Sequence, residues 1–240
     1  MKKILNLDGG GVRIYVYLLI LNYIEKKTNM KIVDCFDYFY SVSAGAIVLA
    51  GLLTNYSIDD MILLVKSTNS DNLHHMIDIF FNKMKLNDIK KPFGILTYDI
   101  NTMKYITFHS YDNTNYNLCD VLKATSGLAP YYKEYNIDNY KLIDGYSYDI
   151  DLNVFASNNI IKYFGNDDYY QLYIGRNITN NMYDMIYKIY KTCNMIHMIE
   201  IEINISVNDI NSFDTMNSIF NKWINNNKEY LDNICNKLLK

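Results

Sequence analysis

The stretch Tyr40-Ser41-Val42-Ser43-Ala44-Gly45-Ala46 sets a serine among small residues, between an apolar run and the helix-forming segment Ile47-Val48-Leu49-Ala50. A strand, a sharp turn and a helix in this order present a serine hydroxyl at the helix N-terminus, as a nucleophile elbow does. Gly45 provides the small residue after the serine, whereas Ser41 replaces the first glycine of the usual G-x-S-x-G. Ser43 is therefore predicted to be a nucleophile. The simpler alternative is that Ser41 and Ser43 only cap a buried helix.

A glycine-rich stretch lies between two apolar segments near the start of the chain. Asp8-Gly9-Gly10-Gly11-Val12-Arg13 follows the predicted strand 2–7 and precedes an apolar helix predicted over 14–24. Consecutive glycines allow positive φ and can turn several N–H groups toward one anionic group at a helix N-terminus. A nucleotide loop is the competing interpretation, but the spacing fits neither G-x-x-x-x-G-K-[ST] nor G-x-G-x-x-G.

The spacing of these two stretches predicts that they meet. The glycine loop ends roughly thirty residues before Ser43, about one βαβ unit, so both would lie at the same edge of a parallel sheet. Backbone donors beside an elbow serine are what acyl transfer requires, because the tetrahedral intermediate carries its charge on the former carbonyl oxygen.

The chain contains two candidates for the general base, both later in the sequence than Ser43. Asp144-Gly145 closes the predicted strand 140–143, and a carboxylate at a strand end lies where sheets bind ligands, although Asp-Gly is also a common turn. Alternatively, Ser43, Asp144 and His197 follow the chain order of an α/β-hydrolase triad. Against the triad, His197 stands in the apolar run Met195–Met198, which is more typical of a packed histidine.

The periodicity of the remaining segments predicts an α/β architecture with a mainly parallel sheet. Helices are predicted over 58–66, 72–84, 117–125, 152–164, 182–192 and from 213 toward 239, with Ser212 as the cap of the last. Strands are predicted over 95–99, 104–109, 169–174 and the alternating isoleucines of 199–205. No repeat or linker divides the chain, so residues 1–240 are expected to form one domain.

Composition excludes several classes of function. The net charge of -3 and the scattered lysines argue against a nucleic-acid partner. No apolar stretch approaches the ~20 residues that span a bilayer, and no secretory signal is expected. We expect a cytoplasmic protein, or one peripheral on membranes; the lysines of 83–91 form a solvated loop or touch anionic head groups. The cysteines are too far apart for a zinc or redox site and are expected to be buried thiols: Cys35, Cys119, Cys193 and Cys235.

Four segments taken together resemble the patatin-like phospholipases. They are Asp8-Gly9-Gly10-Gly11-Val12-Arg13, Ser41-Val42-Ser43-Ala44-Gly45, Thr125-Ser126-Gly127-Leu128-Ala129-Pro130 and Asp144-Gly145. The resemblance extends over about residues 2–176, with 97–102 similar to the family's middle strand. Residues 177–240 add no recognisable motif and are expected to extend the same domain. The resemblance implies a three-layer α/β/α fold and a Ser-Asp catalytic dyad without histidine.

The resemblance also implies a role for each residue of the site. Ser43 would be the nucleophile and Asp144 its base, while N–H groups of Gly9, Gly10 and Gly11 would form the oxyanion hole. Arg13 would help to hold the glycine loop, and the small residues Ser41, Gly45 and Gly145 would support the turns. The implied substrate is a phospholipid or another fatty-acyl ester, hydrolysed through an acyl-enzyme during transient contact with a membrane surface. No metal or organic cofactor is implied.

Three residues depart from the family pattern. Ile14 stands where a glycine usually follows the arginine, Ser41 replaces the first glycine of the elbow, and Tyr146 replaces a second small residue after Asp144-Gly145. The Tyr146 ring could narrow or line an acyl pocket. These departures leave open a second function, a lipid- or membrane-binding pseudoenzyme.

Overall fold

The protein is built around a mixed β-sheet, seen in a computed structural model that describes residues 1–146, 152–165, 168–175 and 196–240. Hydrogen-bonded neighbours in the sheet follow the order β5-β6-β3-β2-β1-β7-β8, and β4 pairs with β3. The strands are β1 (Lys2–Leu7), β2 (Tyr38–Val42), β3 (Phe93–Asp99), β4 (Lys104–His109), β5 (Tyr135–Ile137), β6 (Tyr140–Asp144), β7 (Tyr169–Gly175) and β8 (Ile196–Glu200).

Strand β3 divides the sheet into a parallel and an antiparallel half. Strands β3, β2, β1, β7 and β8 pair in parallel, whereas β4 and β6 both pair antiparallel with β3. β4 covers Gly94–Asp99 along one edge of β3, so β2 and β6 must share the other edge. There β2 ends with Val42 opposite Leu96, and β6 ends with Asp144 opposite Thr97. The two strands therefore abut end to end.

Helices cover both faces of the sheet. The apolar core on one face includes residues of α1, α3, α4, α5, α6 and α8, and a smaller core on the other face includes residues of α7. The helices are α1 (Ile14–Thr28), α2 (Ile32–Cys35), α3 (Ser43–Leu53), α4 (Ile58–Ser67), α5 (Leu73–Phe81), α6 (Leu118–Thr125), α7 (Leu152–Phe164) and α8 (Phe213–Leu238). This arrangement confirms the predicted three-layer α/β/α fold.

Local sequence explains the elements that position the site. Ile4 and Leu5 of β1 are fully buried on opposite faces of the sheet, as expected for a central strand with helices on both sides. Helix α3 is almost entirely apolar and rich in small residues, which suits a helix packed between the sheet and α4. Gly51 of α3 leaves room for Met61 of α4, whose sulfur would clash with a Cβ at that position.

The chain after β7 differs from its prediction. The alternating isoleucines predict a strand over 199–205, but β8 ends at Glu200. Its neighbour β7 ends at Gly175, which is paired with Glu200, so the later isoleucines have no strand beside them. Ile201 and Ile203 are nevertheless buried in the core, and this burial accounts for their alternation. The helix predicted over 182–192 lies outside the described residues.

Two further expectations concern side chains. Ser212 precedes α8, but its hydroxyl donates to Asp209 instead of capping the helix. Cys35, Cys119 and Cys235 are buried free thiols, and Cys193 lies outside the described ranges.

Among the helices in the described part of the chain, none combines the length and the apolar character needed to cross a membrane.

Candidate active site

The turn between β2 and α3, which we call the elbow, holds Ser43 in an uncommon backbone conformation. Ser43 has a φ of 55°, in the left-handed region that non-glycine residues rarely adopt and that surrounding structure must hold in place. Helix α3 begins at Ser43, so the positive end of its dipole lies at the serine. A Cβ on Gly45 would lie 2.5 Å from the Leu7 carbonyl oxygen and would also clash with that of Asp8. Only glycine lets α3 approach β1 so closely.

Thr125, the last residue of α6, fixes the elbow from the opposite side. Its Oγ1 accepts a hydrogen bond of 2.9 Å from the Ser43 backbone N–H and donates one of 2.6 Å to the Leu96 carbonyl oxygen. Thr125 is fully buried. One hydroxyl group therefore joins the elbow, α6 and the point on β3 where β2 ends.

The glycine loop packs directly against the serine. A Cβ on Gly9 would lie 2.8 Å from the Ser43 Cβ and 3.4 Å from its Oγ, so a larger residue would displace the hydroxyl. Gly10 and Gly11 have positive φ values of 142° and 57°. The Gly9 N–H donates to Asp8 Oδ1 over 2.8 Å, whereas those of Gly10 and Gly11 have no acceptor among the described residues. The Gly10 and Gly11 N–H groups are therefore available to donate hydrogen bonds to a ligand.

Two contacts hold the loop in this shape. Arg13 Nε donates to the Gly10 carbonyl oxygen over 3.1 Å. The Val12 N–H donates over 2.8 Å to the carbonyl oxygen of Val207, which also occupies the place that a Gly11 side chain would need. The segment before α8 therefore contributes to the glycine loop.

A buried tyrosine supports the same loop from β7. Tyr173 donates its hydroxyl to Asp8 Oδ2 over 2.8 Å, and both residues are fully buried. Burial, followed by the charge of Asp8, raises the pKa of Tyr173 well above its usual value, so the phenol keeps its proton and donates. Asp8 thus joins β7 to the first glycine of the loop.

Asp144 ends β6 beside the elbow. Its carboxylate is buried, and Oδ1 accepts the Tyr146 backbone N–H over 2.8 Å. Val42 and Asp144 face successive residues of β3, which are about 3.3 Å apart along a strand. Gly145 continues this close approach, because a Cβ there would lie 2.7 Å from the Leu96 carbonyl oxygen. The strand ends meet, but no hydrogen bond joins Ser43 Oγ to the Asp144 carboxylate.

The hypothesis of a triad with His197 is wrong. His197 lies in β8, three strands away from β2, which is about 14 Å at the usual strand spacing. Through β7 and β1 it is level with Phe39, four residues before Ser43. Its Nε2 lies 2.8 Å from Lys237 Nζ, and burial, then that ammonium charge, lowers the pKa of His197.

An apolar cleft opens at Ser43. Its walls come from the start of α3, the end of α4, the start of α5 and the loop after α6, with a cavity volume of about 100 Å³. Most of the lining is aliphatic or aromatic, and the lining includes Ile14 but not Tyr146. Tyr146 instead packs against the smaller core on the α7 face. Across the cleft, Tyr132 donates to the Ser70 carbonyl oxygen over 2.6 Å and stacks on His74.

Part of this chain is similar in sequence to known proteins. The model of the patatin-like phospholipase family matches residues 5–74, which contain the glycine loop and the elbow. Patatin-like phospholipase 1 of Plasmodium falciparum (isolate NF54) is 31% identical over 102 residues. The resemblance to the patatin-like phospholipases is confirmed. The match covers 38% of this chain and 15% of the P. falciparum protein, so the chain spans only a small part of that relative's length.

A solved structure is similar to this chain in fold over more residues than the matched sequences cover. The crystal structure of VipD from Legionella pneumophila aligns with a TM-score of 0.55 over 92% of this chain and 67% of that chain, at 9% sequence identity. At such low identity the similarity concerns the fold alone. It supports the three-layer arrangement of helices around the sheet.

Several residues around this candidate site carry no recognisable sequence signal for their role. Asp8 lies in the glycine motif, but its partner Tyr173 is 165 residues away. Thr125 begins one of the four segments that carry the family resemblance, but that segment assigns no role to the threonine itself. Val207 and Asn208 line the cleft from a segment without any motif. Ser41 is fully buried, and its Oγ has no hydrogen-bond partner among the described residues, so its small size is its contribution.

No cluster of three or more potential metal-ligating side chains occurs in the described ranges.

Proposed function

We propose that this protein is a lipid acyl hydrolase that cleaves fatty-acyl esters through Ser43 and Asp144. The observation that carries the proposal is the strained elbow of Ser43, packed against Gly9 and opening onto an apolar cleft. The abutting ends of β2 and β6 bring a buried carboxylate to the same place. The patatin-like resemblance supports the same reaction.

In the proposed first step, Asp144 takes the Ser43 hydroxyl proton while Oγ attacks the ester carbonyl carbon. The Gly10 and Gly11 N–H groups and the N-terminus of α3 stabilise the negative charge on the carbonyl oxygen. The intermediate collapses when the ester C–O bond breaks, and Asp144 passes the proton to the leaving alcohol. The product is an acyl ester on Ser43.

In the second step, Asp144 takes a proton from water, which attacks the acyl ester. Collapse releases the fatty acid, and Ser43 Oγ recovers its proton. The mechanism requires the Ser43 hydroxyl to turn toward Asp144 when substrate binds. Catalytic hydrogen bonds often form only in the substrate complex, so their absence from the free protein does not oppose it.

A fluorophosphonate probe tests the nucleophile, because it labels only an activated serine. We expect labelling of the protein and none of Ser43→Ala. Ser126→Ala is the matched control, since Ser126 also lines the cleft but its hydroxyl is bonded to the Leu122 carbonyl oxygen. Labelling that survives Ser43→Ala would show that another serine reacts. An unlabelled wild-type protein that still binds lipid would instead favour the pseudoenzyme.

A second variant tests the base. Asp144→Asn is expected to keep the fold and to lower turnover of a fatty-acyl nitrophenyl ester by about 10²- to 10⁴-fold, the usual contribution of general-base catalysis. Asn is close in size to Asp and can still accept the Tyr146 N–H. Near-wild-type turnover by Asp144→Asn would eliminate Asp144 as the base.

A further inference from the structure

The segment between β8 and α8 reaches the catalytic end of the cleft. The Val207 carbonyl oxygen accepts the Val12 N–H over 2.8 Å and lies against the Cα of Gly11. Val207 and Asn208 then line the same cleft as Ser43. A turn supports this segment, because the Asp209 N–H donates to the Ser206 carbonyl oxygen and Ser212 donates to the Asp209 carboxylate. Asn208 is thus held beside the glycine loop.

The side chain of Asn208 has unused hydrogen-bonding capacity. Several other polar groups of the cleft are bonded locally: Thr68 Oγ1 donates to the Leu64 carbonyl oxygen, and Asn69 Oδ1 accepts two backbone N–H groups. The carboxamide of Asn208 makes no hydrogen bond with any described residue, as is also true of the hydroxyls of Ser43 and Ser70. Unlike a hydroxyl, the carboxamide offers two N–H donors and a separate acceptor.

The chemistry of the cleft indicates what this carboxamide would contact. The apolar walls suit an acyl chain, and the proposed mechanism assigns the Gly10 and Gly11 N–H groups to the ester carbonyl oxygen. The alcohol half of the ester is the remaining polar part of the substrate. No charged side chain is found among the described residues that line the cleft, so none of these residues offers a cationic partner to a phosphate.

Resting on the proposed function, we propose that Asn208 is a specificity-determining residue that recognises neutral oxygens on the alcohol half of the ester, such as those of glycerol. Its N–H groups donate to a hydroxyl or ether oxygen close to the scissile bond, and its carbonyl accepts from a hydroxyl. The Val207 contact with the glycine loop sets the position of this carboxamide relative to Ser43.

Binding of two probes that cannot be hydrolysed tests the inference. Hexylglycerol ether carries a glycerol group, and hexanol carries the same chain without it. Calorimetry below the micelle concentration should show that wild-type protein prefers the glycerol ether. Asn208→Ala should weaken binding of the ether by about 2- to 10-fold, the usual effect of losing one neutral hydrogen bond, and leave hexanol unchanged. Asn211→Ala, an exposed asparagine on the same segment, is the matched control.

Three outcomes would overturn the assignment. They are an Asn208→Ala variant that keeps the preference for the ether, one that loses affinity for both probes equally, and one that binds a hexyl trifluoromethyl ketone more weakly. The ketone contains the chain and the carbonyl group but no alcohol half, so the last result would place Asn208 at the carbonyl oxygen. Because the two alcohol probes need no turnover, their binding can be measured in Ser43→Ala as well. A failure of the proposed hydrolysis is thereby distinguished from a failure of this inference.

Discussion

Replacing Thr125 with valine should loosen the elbow while leaving the shape of the core almost unchanged. Valine has nearly the same volume as threonine but no hydroxyl, so only the two hydrogen bonds of Oγ1 are lost. In one bond, Thr125 Oγ1 accepts from the Ser43 N–H over 2.9 Å, and in the other it donates to the Leu96 carbonyl oxygen over 2.6 Å. Neither the Ser43 N–H nor the Leu96 carbonyl oxygen can form a replacement hydrogen bond with water, because Thr125 is fully buried between them.

The expected loss of stability follows from these two orphaned groups. An unsatisfied buried donor or acceptor costs about 1–3 kcal/mol, so for two such groups we expect the free energy of unfolding to fall by about 2–6 kcal/mol. For a domain of this size, each kcal/mol corresponds to about 2–4 °C in the melting temperature. The positive φ of Ser43 adds a functional cost, because a conformation strained by about 1–3 kcal/mol relaxes once its clamp is removed.

Two measurements test this reasoning: urea unfolding and the rate of fluorophosphonate labelling. We expect the Thr125→Val variant to unfold at lower urea and to label Ser43 about 10²-fold more slowly, the effect of a misplacement of about 1 Å. Thr125→Ser keeps the hydroxyl and is the matched control, which should label close to the wild-type rate. A valine variant that unfolds and labels like wild type would refute the role of the clamp. Equal damage in both variants would also refute the role of the hydroxyl, because serine keeps that group.

Three further predictions concern histidines and the cleft. His197→Ala should leave labelling of Ser43 within about twofold, because β8 lies three strands from the elbow; a loss of three decades, on the scale of removing a triad member, would contradict this. Tyr132→Ala should shift the preferred acyl-chain length of nitrophenyl esters upward. The control Tyr132→Phe should keep the aromatic wall and lose only the hydrogen bond to Ser70. An unchanged chain-length profile in the alanine variant would show that Tyr132 does not limit the length of the cleft. Burial, then nearby lysine charge, lowers the pKa of His74 and His197, so protonation of these histidines favours the unfolded chain. The stability that is present above about pH 6.5 should therefore decrease on acidification. Urea midpoints that stay constant between about pH 7 and 5 would contradict this.

The parts of the site that sequence predicts are those that depend on local geometry. The elbow requires small residues where α3 meets β1, and glycine is the only residue type that fits at position 45, against the Leu7 carbonyl oxygen. The glycine loop likewise needs Gly9 against Ser43 and positive φ at the next two residues. In a chain with ten glycines among 240 residues, such placement is informative.

The residues that sequence misses act through distant partners. Thr125 reaches Ser43 across 82 residues, and Tyr173 reaches Asp8 across 165. Neither threonine nor tyrosine has a local pattern that distinguishes a bridging side chain from an ordinary core residue. Asn208 has no motif at all, and its place at the cleft follows from the docking of Val207 on the glycine loop.

The abutting strand ends on β3 have a consequence for how this fold can diversify. The relative position of Val42 and Asp144 depends on the registers of β2 and β6 along one edge of β3, and a slip of one residue would turn the Asp144 side chain to the opposite face. The chain between them forms most of the cleft wall, yet its connections at 54–57, 68–72 and 110–117 do not set that register. Insertions or deletions in these connections can therefore change the surroundings of the cleft without moving Ser43 or Asp144. The fold therefore allows the cleft to diversify independently of the relative position of Ser43 and Asp144.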